Sequence, residues 1–171
     1  MPEKKPKPQI LDVAVGLLDK EQYNNLSAFV AWMKENKMTP SFMTTSRWVV
    51  SSKSKNVCHV NLCHRTKTWG IAHCHITRHQ WFAGYEKYII DDEMIEFIHR
   101  CVQGNVCQAL YGGENNCGAT RNKDKVVIGK RFDFVCQCWP LVINNPVGKE
   151  LELEKRFILT IKQIITDVTA K

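Results

Sequence analysis

Two strand-like runs on either side of the polar turn His64-Arg-Thr-Lys67 constrain this chain more than any other stretch. If a four-residue loop joins Cys63 to Thr68, then Cys58, Val60 and Leu62 lie opposite His73, Ile71 and Trp69, which puts the apolar residues of both strands on one face. A slip of one residue would turn that whole set to the other side. The opposite face then carries His59, Asn61, Cys63, Gly70, Ala72 and Cys74, a mixed surface open to light cover or to solvent. Residues 47–51 read as a third strand, joined to the pair through the polar turn Lys53-Ser-Lys, so residues 47–75 form an antiparallel meander.

Helical patterns flank the meander. Leu26, Phe29, Val30 and Met33 recur at helical spacing and predict a helix over residues 19–36, ended before Pro40. Residues 10–18 are a short apolar segment in which Gly16 weakens the helical pattern. Asp91-Asp-Glu opens a second helix with Met94, Phe97, Ile98, Cys101 and Val102 on one stripe. Residues 125–128 and 131–138 read as strands about a turn at Gly129-Lys130. Asn145-Pro146 reads as an N-cap with proline in the first turn, and Phe157, Ile158, Ile161, Ile164, Ile165 and Val168 mark a long closing helix. These elements predict one α+β domain over residues 10–171, an antiparallel sheet packed by two or three helices. Residues 1–9, rich in lysine and proline, read as a flexible basic tail. A hydrophobic content of 44% in 171 residues suffices for a single core without disulfides.

No secretory leader or membrane-length apolar run is visible, so the expectation is a cytoplasmic protein with reduced thiols and no membrane partner. Eight cysteines then have to be packing groups, metal ligands or redox nucleophiles. Residues 104–124 form a loop long enough to need fastening. Cys107, Cys117, Cys136 and Cys138 would do so by closing a tetrahedral zinc site, with Cys101 or His99 as substitute ligands. Ordinary reduced cysteines are the alternative. A redox role would rest on Cys136-Gln-Cys138, which has no evident activating cation.

The net charge is +7, and no carboxylate lies between Glu35 and Glu86. That window holds Arg47, Lys53, Lys55, Arg65, Lys67, Arg78 and Trp81, candidates for binding an anionic small molecule or a protein, with nucleic acid as the alternative partner. A solvated basic surface is the plain alternative. No phosphate-binding glycine loop, His-Glu-x-x-His or Gly-x-Ser-x-Gly is present, so a binding domain is expected rather than an enzyme. A thiol-dependent redox enzyme remains the third class, marked by one cysteine that alkylates far faster than the rest.

The run Cys107…Cys117…Val126-Val-Ile-Gly-Lys-Arg-Phe-Asp-Phe-Val-Cys136, followed by Asn145-Pro146 and a closing helix, resembles small cysteine-containing bacterial proteins of unknown function from Gram-positive anaerobes. A Trp-x-x-x-x-Lys strand and a Lys-x-x-Val-Cys strand of those proteins are matched loosely by Trp48 to Lys53 and by Lys55 to Cys58, the second with one residue fewer between Lys and Val. The plan over residues 20–168 is similar to YdhG-like α+β domains. The resemblance implies a fold and no activity. Cys107-Gln-Ala-Leu110 stands where those proteins carry Cys-x-x-Cys, which departs from a four-thiolate pattern.

Overall fold

The central hairpin forms in the expected register, with Val60 opposite Ile71, Leu62 opposite Trp69 and Cys63 opposite Thr68. The computed structural model describes residues 7–44, 46–73, 84–102, 122–136 and 141–170, apart from the side chains at 122, 123, 134 and 136. Among these, β1 (Thr39–Thr44), β2 (Arg47–Ser52), β3 (Lys55–Cys63), β4 (Thr68–His73) and β7 (Leu141–Asn144) make an antiparallel sheet in the order β1-β2-β3-β4-β7. A second sheet pairs β5 (Asn122–Val127) with β6 (Lys130–Cys136). The helices are α1 (Ile10–Ala14), α2 (Lys20–Glu35), α3 (Asp92–Cys101) and α4 (Gly148–Thr169). Together they form a single α+β domain.

One face of the large sheet makes the core. Trp48, Val50, Cys58, Val60, Trp69 and Ile71 are all buried there. Helix α2 lays Leu26, Phe29, Val30 and Met33 toward it, and the Phe29 and Trp69 rings meet at 5.7 Å. Capping explains where the helices begin: Asp19 and Asp91 each accept a bond from the backbone N–H three residues on, at 2.8 Å. Lys162 of α4 donates to the Asn36 carbonyl at 2.6 Å and so satisfies the C-terminal end of α2. Lys53 and Ser54 both take positive φ, 48° and 61°, which matches the tight turn to the twist of β2 and β3. Between them a β-bulge lets both Val57 and Cys58 sink into the core.

Three local readings need correction. The closing helix begins at Gly148 after a Val147 cap, not at Asn145-Pro146. Asn145 instead holds φ +45° and clasps Trp69 twice: its N–H donates to the Trp69 carbonyl at 2.8 Å, and its Oδ1 accepts from the Trp69 N–H at 3.0 Å. The β5–β6 turn sits on Ile128 and Gly129 rather than on Gly129-Lys130. Residues 39–44, passed over because Pro40 reads as a helix stop, form the edge strand β1, where a missing N–H can face away from the ladder.

Candidate polar site on the outer sheet face

The second face of the sheet is not an open surface over β3 and β4. His59 and Asn61 are each only 4% exposed, and Ala72 is fully buried. Strand pairing brings Arg47 opposite Asn61 and Asn61 opposite Gly70, while His59 sits between Val49 and Ala72. The Arg47 Nε donates to Asn61 Oδ1 at 3.2 Å. A guanidinium can only donate, so this contact fixes which end of the Asn61 amide is oxygen and leaves the Nδ2 donors pointing elsewhere. Asn61 Nδ2 is shielded from solvent and finds no hydrogen-bond partner among the described residues. Half-buried Arg47 stands at the rim. Beside this group, Asn144 Oδ1 and the Ile143 carbonyl occupy the space that the missing Gly70 side chain leaves.

The basic candidates do not gather in one patch. Lys53 and Lys55 flank the β2–β3 turn, whereas Arg65 and Lys67 lie in the β3–β4 turn. The length of β3 separates the two pairs by roughly 27 Å at ordinary strand rise. Antiparallel pairing puts Arg47 at the end occupied by Arg65 and Lys67. Arg78 and Trp81 lie outside the described residues. Trp48 and Trp69, each 1% exposed, belong to the core.

A second polar group crosses the core face. His73 Nε2 lies 2.6 Å from Glu154 Oε1 of α4, and its Nδ1 lies 3.4 Å from the carbonyl of the bulged Val57. The two side chains are 2% and 1% exposed. The imidazole packs edge-on against Phe157 at 5.0 Å. His73, Phe97, Cys101, Leu141, Glu154 and Phe157 line a narrow seam with no room for a water molecule. Burial, followed by the charges of Glu154 and Glu150, pushes the Cys101 thiol up well beyond the ordinary thiol range. An uncharged thiol in a dry seam is a packing group, and an imidazole between carboxylate and carbonyl ties β4 to α4.

Cys63 is different. Burial alone would raise its thiol, but bonds from the Thr66 side chain and from the Thr66 and Arg65 backbone, with the Arg65 charge, together bring it below the ordinary value. It is half-buried, while Cys58 is fully enclosed. With limiting iodoacetamide at pH 7, Cys63 is expected to label at least about tenfold ahead of Cys58 and Cys101, because thiolate fraction and access both favour it. Its rate should rise with pH and level off earlier than that of a free thiol. Peptide mapping checks the order, and equal labelling of the three would contradict it.

Of the zinc candidates, Cys107, Cys117 and Cys138 lie outside the described residues, and Cys136 is known only as the last residue of β6. The proposed substitutes diverge. His99 Nε2 bonds to the Val127 carbonyl at 2.9 Å and its ring meets Phe132, whereas Cys101 faces the seam. Among the described residues no three His, Cys, Asp or Glu side chains gather as a metal group, and no helix is long and apolar enough to cross a membrane.

Glu154 was missed in reading the sequence. It does carry a signal: Leu151, Glu154, Phe157, Ile158 and Ile161 recur at three and four residues, so a carboxylate occupies a position of the buried stripe. Such a residue needs a buried partner, and only the fold names His73. Compared with protein-family models, with curated proteins and with solved structures, the chain finds no match.

Proposed function

We propose that this chain is a non-catalytic binding domain that receives an anionic group, carried by a small molecule or a protein, at Arg47 and Asn61 on the outer sheet face. The observation that carries this reading is the Asn61 amide, enclosed, oriented by Arg47 and left with Nδ2 unpartnered among the described residues. Leaving a buried donor unmade costs about 1–3 kcal/mol, a cost that an acceptor oxygen would relieve. Arg47 adds charge assistance and a fork that suits carboxylate or phosphate. The stretch without carboxylates leaves the field there unopposed from its own strands.

Catalysis has less to rest on: the groups that lower the Cys63 thiol belong to Thr66 and Arg65, neither of them a general base. The carboxylate-oriented imidazole lies in a seam without water, and the thiol beside it is held in its neutral form. Nucleic-acid binding is also less favoured, because Trp69 is withdrawn into the core and the lysines divide between two ends of the sheet. Zinc at Cys107, Cys117, Cys136 and Cys138 remains part of the proposal as a loop clip. Chelation should then release four slow thiols in the labelling experiment that ranks Cys63 first, and an unchanged thiol count would remove the zinc.

Inorganic phosphate is the probe for the face. At constant ionic strength, phosphate should raise the melting temperature of the whole chain above a chloride control. Arg47→Ala or Asn61→Ala should weaken that response about tenfold or more, as expected for a charge-assisted contact. Lys53→Ala should leave it unchanged. No phosphate response, or one equally sensitive to Lys53, would overturn the assignment.

A further inference from the structure

The end of the amino-terminal arm is seated in the fold rather than beside it. The indole Nε1 of Trp48 donates to the carbonyl of Pro8 at 3.1 Å, although 40 residues separate them in sequence. Gln9, next in the chain and N-cap of α1, holds φ −77° and ψ 150°, extended dihedrals that fall within the polyproline II region. The Gln9 carbonyl turns into α1 and accepts from the Val13 N–H at 3.4 Å, while the Pro8 carbonyl before it faces the indole. Phe42 of β1 meets Trp48 edge-on at 5.9 Å, and Pro40 lies one pleat along the same strand. Lys7, Pro8, Pro40, Phe42 and Trp48 border a cavity of about 230 Å3.

This combination has a definite chemical preference. A buried indole N–H requires an acceptor, and a flat aromatic and proline lining suits pyrrolidine rings better than flexible side chains. A segment whose prolines already fix φ near the polyproline II value loses less entropy on docking. We propose that the groove between β1, β2 and the arm is a binding site for proline-containing peptide segments in this conformation, with the chain's own Lys7-Pro8-Gln9 as its resident occupant. A tethered occupant of this length competes at an effective concentration in the millimolar range. A peptide from outside therefore has to displace Lys7-Pro8-Gln9 from the groove. The site shares neither Arg47 nor Asn61 with the anion site, so either proposal can fail alone.

The test uses the full chain, nitrogen-15 labelled, and the probe acetyl-Lys-Pro-Lys-Pro-Gln-amide. The Trp48 indole resonance is assigned by its loss in Trp48→Phe. The probe should move that resonance at millimolar concentration, and a version with both prolines replaced by glycine should bind about tenfold more weakly. Pro8→Gly, which loosens the resident arm, should tighten probe binding about tenfold, and Phe42→Ala, which strips the groove wall, should weaken it about as much. A resonance unmoved by the probe in both the unaltered chain and Pro8→Gly, or moved equally by both peptides, would overturn the proposal. A shift that follows protein concentration without any peptide would assign the groove to arm exchange between two copies, and would overturn it too.

Discussion

Glu154→Ala is expected to lower folding stability by about 1–3 kcal/mol, the cost of leaving a buried hydrogen-bonding group of the His73 ring without its partner on α4. His73 would keep its Val57 contact and lose the bond to α4, in a seam that holds no water to replace the carboxylate. Urea denaturation should show a lower midpoint with an unchanged slope, since the exposed area on unfolding is the same. The companion variant is His73→Phe with Glu154→Leu. Replacing both members with apolar groups removes the desolvation cost along with the bond, so the double variant should recover most of the loss. A loss below about 1 kcal/mol in Glu154→Ala would mean that water enters the seam and solvates the imidazole.

Gly70→Ala is expected to cost about 1–3 kcal/mol by overpacking the β4–β7 ladder. An added Cβ would come within 2.8 Å of both the Ile143 carbonyl oxygen and Asn144 Oδ1. One obstacle is a side chain that can turn away, but the other is backbone. Asn144→Ser should therefore rescue Gly70→Ala only in part. Hydrogen exchange should localise the damage to Leu141–Asn144, ahead of the β2–β3 pairing. Full rescue by Asn144→Ser would show that the backbone yields freely at this crossing.

The residues that were legible carry local, repeated information. Val60 and Leu62 against Ile71 and Trp69 make a register that only one alignment satisfies, and Leu26 to Met33 or Met94 to Cys101 mark helix faces by period alone. The short strands were harder. Thr39–Thr44 begins with a helix-stop signal, and Leu141–Asn144 has too few residues to show a period. Asn145 was misread because a residue fit for a helix cap is also fit for positive φ and a side-chain clasp. The basic candidates were identified one by one, but their separation follows from chain direction along β3, which composition does not contain. Likewise Arg47 and Asn61 are 14 positions apart and meet only through pairing.

The strand order carries a further consequence, for synthesis. Until β7 arrives, β4 is the outer strand of a four-strand ribbon, and its partner enters only after the chain has travelled from residue 74 to residue 140. At about 5–20 residues per second, the ribosome leaves that border uncapped for several seconds. Trp69 and Ile71 stand on it, and the helix that later covers His73 comes later still. The nascent chain thus passes through an interval in which β4 offers an unpaired edge to other chains or to a chaperone, and β7 and α4 between them close the sheet and end that exposure.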